Sequence, residues 1–77
     1  MADHTYKVIE LVGSSDAGLE DAIKSALARA SQTIKGLDWF EVKEIRGTIG
    51  DGGKVNFYQV KMEIGFQVLE AADLHRS

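Results

Sequence analysis

Residues 58–68 read YQVKMEIGFQV, and this stretch decides the fold. Apolar and polar side chains alternate along it, which is the pattern of a β-strand whose two faces meet different surroundings. The apolar face carries Tyr58, Val60, Met62, Ile64, Phe66 and Val68. The mixed face carries Gln59, Lys61, Glu63, Gly65 and Gln67, with Phe57 just before the stretch. The pattern predicts a strand with one side in the core and the other left to solvent or a partner.

A second alternating run precedes this strand. Residues 38–49 alternate in the same way, and residues 50–53 read GDGG, a composition typical of a hairpin connection. By parity, Phe40 and Val42 point inward, whereas Trp39, Glu41, Lys43 and Ile45 share the outer face. The isolated Gly47 indicates a bulge or bend, where a shift of parity would change the faces beyond it.

The N-terminal part of the chain predicts a strand followed by one helix. Residues 6–12 are rich in β-branched and aromatic side chains and end at Gly13. Residues 14–16, SSD, are good N-cap residues, and residues 35–36, KG, predict a helix end. Between them the apolar positions step by three and four, as in an amphipathic helix of roughly 20 residues. These positions are Leu19, Ala22, Ile23, Ala26, Leu27, Ala30 and Ile34.

The predicted order is therefore β-α-β-β, an α+β fold with a single helix and two long strands. A right-handed crossover between the first two strands, with the third strand between them, predicts a wholly antiparallel sheet in the order 1-3-2. One helix covers only one face of such a sheet, so the opposite face is free for solvent or partners.

The length and composition predict a single domain over residues 1–77, ordered over about 5–69, with a fraying tail at 70–77. The 77 residues include no Cys, so neither disulfides nor thiolate metal sites can support so small a core, and oligomerisation is expected. The formal net charge of −3 argues against nucleic-acid binding, and no apolar run is long enough to cross a membrane. Residues 1–5 do not resemble a signal peptide, so a cytoplasmic location is expected.

The sequence contains none of the common catalytic or phosphate-loop motifs. His4 and His75 lie in the two terminal segments and are interpreted as solvated tail residues. Glu41, Glu44 and Glu63 alternate with lysines, which favours solvated or ion-paired carboxylates over an acid and base pair.

Trp39 is the residue with the clearest functional potential. Its predicted outward position among polar neighbours suits either a subunit interface, where Trp is enriched, or a stacking platform for a flat ligand. Gln59 and Gln67 lie on the same predicted outer face, and an amide can pair with a donor and acceptor edge of a heterocycle. Arg46 could hold a phosphate or pair with Glu44 and Glu63.

Five stretches together resemble the dodecins, and they cover about residues 5–69. They are residues 6–15 (YKVIELVGSS), 37–42 (LDWFEV), 45–47 (IRG), 58–60 (YQV) and 64–66 (IGF). The resemblance implies a small βαββ protein in which an antiparallel sheet partly wraps one long helix, assembled as a hollow homododecamer. It also implies flavin binding between subunits, with two isoalloxazine rings stacked between tryptophans of symmetry-related chains.

The resemblance also implies a role for each candidate residue. Trp39 matches the stacking tryptophan, and Gln59 matches the glutamine that binds the pyrimidine edge of the flavin. Arg46 matches an arginine near the flavin phosphate, and Glu44 an acidic group near the ribityl chain. Gln67 stands where many bacterial members have an arginine, and a neutral amide lacks the charged bidentate grip of a guanidinium. Some bacterial dodecins also bind coenzyme A, which makes it a further candidate ligand.

We therefore predict a non-enzymatic protein that stores and buffers FMN or riboflavin and quenches its photoexcited state. Two alternatives stay open, a flavin-dependent redox enzyme and a structural oligomer that uses Trp39 as interface packing. Neither nucleic acid nor membrane is an expected partner.

Overall fold

The computed structural model of the protein describes residues 4–68. Strand β1 (Tyr6–Ser15), helix α1 (Leu19–Ala30), strand β2 (Leu37–Ile49) and strand β3 (Val55–Gln67) follow one another, with a 3₁₀ turn at Asp51–Gly53. This confirms the predicted β-α-β-β order and the two long strands. The predicted tail at 70–77, with His75, lies outside the described residues.

The three strands form one antiparallel sheet in the order β1-β3-β2, as predicted. The register brings Ile9 and Phe40 opposite Ile64 on one face, which we call the inner face. On the opposite, outer face, Glu10 and Glu41 both lie opposite Glu63. The alternation seen in residues 58–68 therefore separates two chemically different surfaces.

Helix α1 covers the inner face over β1 and β3, and the core lies between them. Val60 and Met62 of β3 and Ala22 of α1 are completely buried. Partly buried side chains surround them: Ile9, Leu11, Leu19, Ile23, Ala26, Leu27 and Leu37. Complete burial of a Met or Val side chain contributes roughly 1.5–3 kcal/mol, so the central strand anchors the fold.

The helix is shorter than predicted at both ends. Strand β1 does not stop at Gly13 but continues to Ser15, and the helix N-cap is Gly18, with φ at +151°. The Ser15 hydroxyl accepts a hydrogen bond from the Ala17 amide and donates one to the Asp21 carboxylate, which closes the turn between strand and helix. The predicted N-cap at residues 14–16 is thus wrong, because pairing with β3 holds these residues in or next to the sheet.

The C-terminal end of the helix also differs from the prediction. Regular helix ends at Ala30, and Thr33 and Ile34 both donate their amides to the Ala30 carbonyl in a tight turn. The Ser31 hydroxyl donates to the Ala28 carbonyl, a local bond that competes with helix continuation. Gly36, with φ at +80°, does not end the helix but turns the chain into β2. Its carbonyl oxygen accepts a hydrogen bond from the backbone N–H of Gln67.

The pairing of β2 with β3 has three register irregularities, and none lies at Gly47. They fall between Leu37 and Trp39, between Val42 and Glu44, and between Thr48 and Ile49. The middle one corrects the predicted faces, because it puts Ile45 opposite Val60 on the inner face. Glu44 and Arg46 consequently lie on the outer face, where simple alternation from Trp39 would not have placed them.

Within residues 4–68, a large apolar surface is not covered by any other part of the chain. Ile45 on the inner face of β2 is 59% exposed, and Ile49 near the hairpin end is 76% exposed. Beyond the pairing of Ser15 with Tyr58, β2 and β3 continue as two strands without β1. An isolated two-stranded ribbon is only marginally stable in water. We therefore expect contacts with other copies of the chain to stabilise the hairpin end. Within residues 4–68, no helix is long and apolar enough to cross a membrane.

Candidate ligand-binding site

The Trp39 indole lies on the outer face, directly over Gly65. Leu37 pairs with Phe66 on the inner face and Trp39 pairs with Gly65, so Asp38 is the extra, bulged residue that turns Trp39 outward. A Cβ atom at Gly65 would overlap the indole ring, and the Trp39 residue remains 41% exposed. The sheet backbone therefore supports one side of the indole while the other side is available to a ligand or a partner.

The bulge that orients Trp39 is tied to the opposite edge of the sheet. The Tyr6 hydroxyl on β1 donates a 2.9 Å hydrogen bond to the Asp38 carboxylate, reaching across the end of β3. That hydrogen bond, with smaller contributions from desolvation and from the Asp38 charge, raises the pKa of Tyr6 above its ordinary value of 10.0. Tyr6 and Asp38 thus connect the two outer strands beside the tryptophan.

We expect the Tyr6 contact to make this end of the sheet sensitive to alkali. A tyrosine whose folded pKa is raised stabilises the fold below its unfolded pKa near 10, and that contribution is lost as the pH rises through the higher folded value. Tyrosinate absorbance, taken as the difference between wild type and Tyr6→Phe, should show Tyr6 ionising above pH 10.0. Ionisation at or below pH 10.0 would show that the Asp38 contact does not persist in solution.

Gln59 occupies the other end of the outer face. It lies opposite Ser14 of β1 on one side and opposite Arg46 of β2 on the other. The Gln59 amide nitrogen donates a 3.1 Å hydrogen bond to the Ser14 hydroxyl. The structure therefore holds the amide at the edge of β1, beside a cationic residue.

Arg46 and Glu44 form an ion pair next to Gln59. The Arg46 guanidinium lies 3.6 Å from the Glu44 carboxylate, and both side chains are more than half exposed. Exposed pairs of this kind contribute at most about 1 kcal/mol, so a ligand phosphate could displace the carboxylate at small cost. Two carboxylates were predicted as possible partners of Arg46. Glu44 forms that ion pair, whereas Glu63 pairs with Lys43.

Gln67 lies at the Trp39 end of the sheet, opposite Tyr6. Its amide contacts the imidazole Nδ1 atom of His4, which is exposed as predicted. Gln67 therefore shares its end of the outer face with Trp39 and not with Gln59.

The candidate residues form two separate groups on one chain. Gln59 and Gly65, which lies under Trp39, are six residues apart on β3, a distance of roughly 20 Å along the strand. A three-ring heterocycle stacked on Trp39 cannot also reach Gln59 of the same chain. If both residues bind one ligand, they must come from different copies of the protein.

The carboxylates between the two groups are ion-paired, as predicted. The Lys43 amine lies 4.0 Å from both the Glu41 and the Glu63 carboxylates, and Lys61 lies 3.9 Å from Glu10. Residues 4–68 contain no cluster of His, Asp or Glu side chains that could hold a metal ion.

An apolar groove of about 340 Å³ runs between α1 and the start of β2. It is lined mainly by Leu27, Leu37, Phe40 and Ile64, and few polar atoms reach its surface.

Sequence reasoning missed three contacts at or beside the candidate residues. The contacts of Asp38 with Tyr6 and of Ser14 with Gln59 join residues 32 and 45 positions apart, and they depend on strand register. Gly65 could have been noticed, because an isolated glycine inside a strand often marks a close approach by another group.

Comparison with known proteins agrees with this architecture. A sequence model of the dodecin family matches residues 5–69. The dodecin of Thermus thermophilus is 63% identical over 65 residues, which are 84% of this chain and 93% of that protein. A calcium dodecin of Mycobacterium tuberculosis is 30% identical over 66 residues, or 86% of this chain and 92% of that protein. The structure of a dodecin from Streptomyces davaonensis has a TM-score of 0.85 at 46% identity and covers 90% of this chain and 100% of its own.

The chain therefore belongs to the dodecin family, whose members are small proteins that form homo-oligomers and generally bind flavins.

Proposed function

We propose that this chain assembles as a homododecamer that stores FMN or riboflavin in stacked pairs between subunits and quenches their photoexcited state. The observation that carries the proposal is the outward indole of Trp39, supported from behind by Gly65. An aromatic ring held in this way offers a flat apolar surface at little conformational cost, which suits a planar heterocycle.

The separation of Trp39 from Gln59 supports a site between subunits. In an assembly, the indole of one copy and the amide of another can face the same ring, with Arg46 and Glu44 close to that amide. The uncovered inner face of β2 and the exposed Ile49 give the chain apolar surface that a shell of copies would bury. The family's homo-oligomeric character supports the same arrangement.

The proposed roles of the residues follow from their chemistry. The Trp39 indole binds the ring by stacking, and the Gln59 amide pairs with its polar edge. Arg46 attracts the phosphate of FMN, whereas Gln67 supplies only a neutral amide. A bound flavin would supply a photoexcitable, redox-active ring. The Trp39 indole, stacked on that ring, would be the electron-rich residue that quenches its excited state, so that light energy would be dissipated without net chemistry. Coenzyme A remains a candidate ligand from the family resemblance alone.

Replacing Trp39 with alanine should weaken flavin binding about 10- to 100-fold, because stacking on one aromatic ring contributes roughly 1–3 kcal/mol. FMN or riboflavin titrated into wild-type apoprotein should lose its fluorescence, whereas any flavin that the variant binds should remain far brighter. Phe57→Ala, at another exposed aromatic residue on the outer face of β3, is the control, provided that light scattering gives it the wild-type mass. Equal quenching by wild type and Trp39→Ala would contradict the proposal.

Two further measurements separate the alternatives. Light scattering should give the mass of twelve 8.4 kDa chains, and a monomer or dimer would contradict an intersubunit site. A large assembly that is colourless and indifferent to flavin would favour a structural oligomer. Steady, protein-dependent consumption of NAD(P)H in the presence of flavin would favour the redox enzyme.

A further inference from the structure

We infer that Ser14 is a positioning residue for ligand recognition, which presents the Gln59 amide to the polar edge of a bound heterocycle. This inference rests on the proposed function. It assigns Ser14 to a site in which neither the motifs nor the family resemblance had placed it. The contact that carries it is the 3.1 Å hydrogen bond from the Gln59 amide nitrogen to the Ser14 hydroxyl.

The hydrogen bond leaves the Gln59 amide with a complete recognition edge. A side-chain amide has two N–H donors and one carbonyl acceptor. Ser14 is assigned the N–H that lies trans to the carbonyl oxygen, so the cis N–H and the carbonyl oxygen remain for a ligand on one edge of the amide. Together they form a donor and acceptor pair, which complements the carbonyl oxygen and the N3–H group of a flavin pyrimidine ring.

Ser14 is the neighbour that holds the amide. Arg46 lies opposite Gln59 on the other side, but its guanidinium is paired with Glu44. A glutamine without such an anchor has several rotamers and loses that freedom on binding. The hydroxyl therefore orders Gln59 before the ligand arrives.

Ser14 is not needed to form the fold. It is exposed on the outer face of the edge strand β1, whereas the neighbouring Ser15 is buried and closes the turn into the helix. Removing the Ser14 hydroxyl should leave the core and the assembly unchanged. Ser25→Ala, which removes the hydroxyl of an exposed serine on α1, provides a matched control.

The test compares riboflavin affinities of wild type, Ser14→Ala, Gln59→Ala and the double variant. We expect Ser14→Ala to weaken binding about 3- to 10-fold, as for the loss of one ordering hydrogen bond, and to have no further effect in the Gln59→Ala background. Ser14→Thr keeps the hydroxyl and should bind like wild type. With N3-methylriboflavin, which keeps the ring carbonyl oxygens but lacks the N3–H group, Ser14→Ala should weaken binding less than it does with riboflavin.

Wild-type affinity of Ser14→Ala for riboflavin would overturn the inference. So would an equal loss with N3-methylriboflavin or in the Gln59→Ala background, since either would show a general structural effect. Failure of the wild-type protein itself to bind riboflavin would instead reject the proposed function. A crystal structure of unliganded Ser14→Ala tests the inference without a ligand. The Gln59 side chain should leave its present rotamer in that structure. An unchanged Gln59 rotamer would also overturn the inference.

Discussion

Replacing Gly65 with alanine should weaken flavin binding about as much as removing the tryptophan, by roughly 10- to 100-fold. The added Cβ atom would occupy the space of the Trp39 indole, at its Nε1, Cε2 and Cζ2 atoms. The ring must therefore rotate away from the sheet, and the supported stacking surface is lost although the tryptophan is still present. Fluorescence titration with FMN should show weaker binding and incomplete quenching at saturation.

A thermodynamic cycle isolates this effect from a general loss of stability. In wild type, Gly65→Ala should lower the free energy of unfolding, because the indole loses its packing against the backbone. In the Trp39→Ala background, the same change should be neutral or stabilising by up to about 1 kcal/mol, since alanine is less flexible than glycine in the unfolded chain. Gly47→Ala, at another strand glycine, is the control, and wild-type quenching by Gly65→Ala would contradict the packing described here.

The elements of the fold were predictable because their signals are local. The alternation of residues 58–68 separates the core residues Val60 and Met62 from the outer residues Lys61 and Glu63 without knowledge of any other strand. The ends of the helix were less predictable. Pairing with β3 extends β1 through Ser15, and such a long-range contact overrides the N-cap preference of residues 14–16.

The candidate site was predictable in its residues but not in its arrangement. Trp39 could be placed outward because it precedes Phe40 and Val42, which lie on the inner face as expected. The bulge between Val42 and Glu44 has no distinctive sequence signal, and it reverses the face of every later residue in β2. The distance between the Trp39 and Gln59 groups is likewise a consequence of register, and it is what makes the site depend on more than one copy.

The contact between Gly13 and helix α1 predicts the largest effect on folding. A Cβ atom at Gly13 would overlap the backbone carbonyl oxygen of Ala22 and lie 3.0 Å from the Ala26 Cβ atom. A backbone carbonyl cannot move aside as a flexible side chain can, so Gly13→Ala must push the helix away from the sheet. We expect a loss of about 1–3 kcal/mol or more, because overpacking a tight core costs that much.

Thermal unfolding followed by circular dichroism, at a fixed chain concentration, should show a decrease in Tm on the order of 10 °C for Gly13→Ala. Gly47→Ala should change Tm far less, since its Cβ would meet the Phe57 carbonyl only at 3.3 Å and would not contact the helix. Adding Ala26→Gly to Gly13→Ala should not restore stability, because the principal overlap is with the Ala22 backbone. Restoration by Ala26→Gly, or a Tm equal to wild type, would mean that the helix can move away from the sheet at little cost. Helix α1 covers the inner face and so leaves the outer face free for ligands. A displaced helix should therefore weaken assembly and flavin binding together. Ser14→Ala, in contrast, should weaken flavin binding alone.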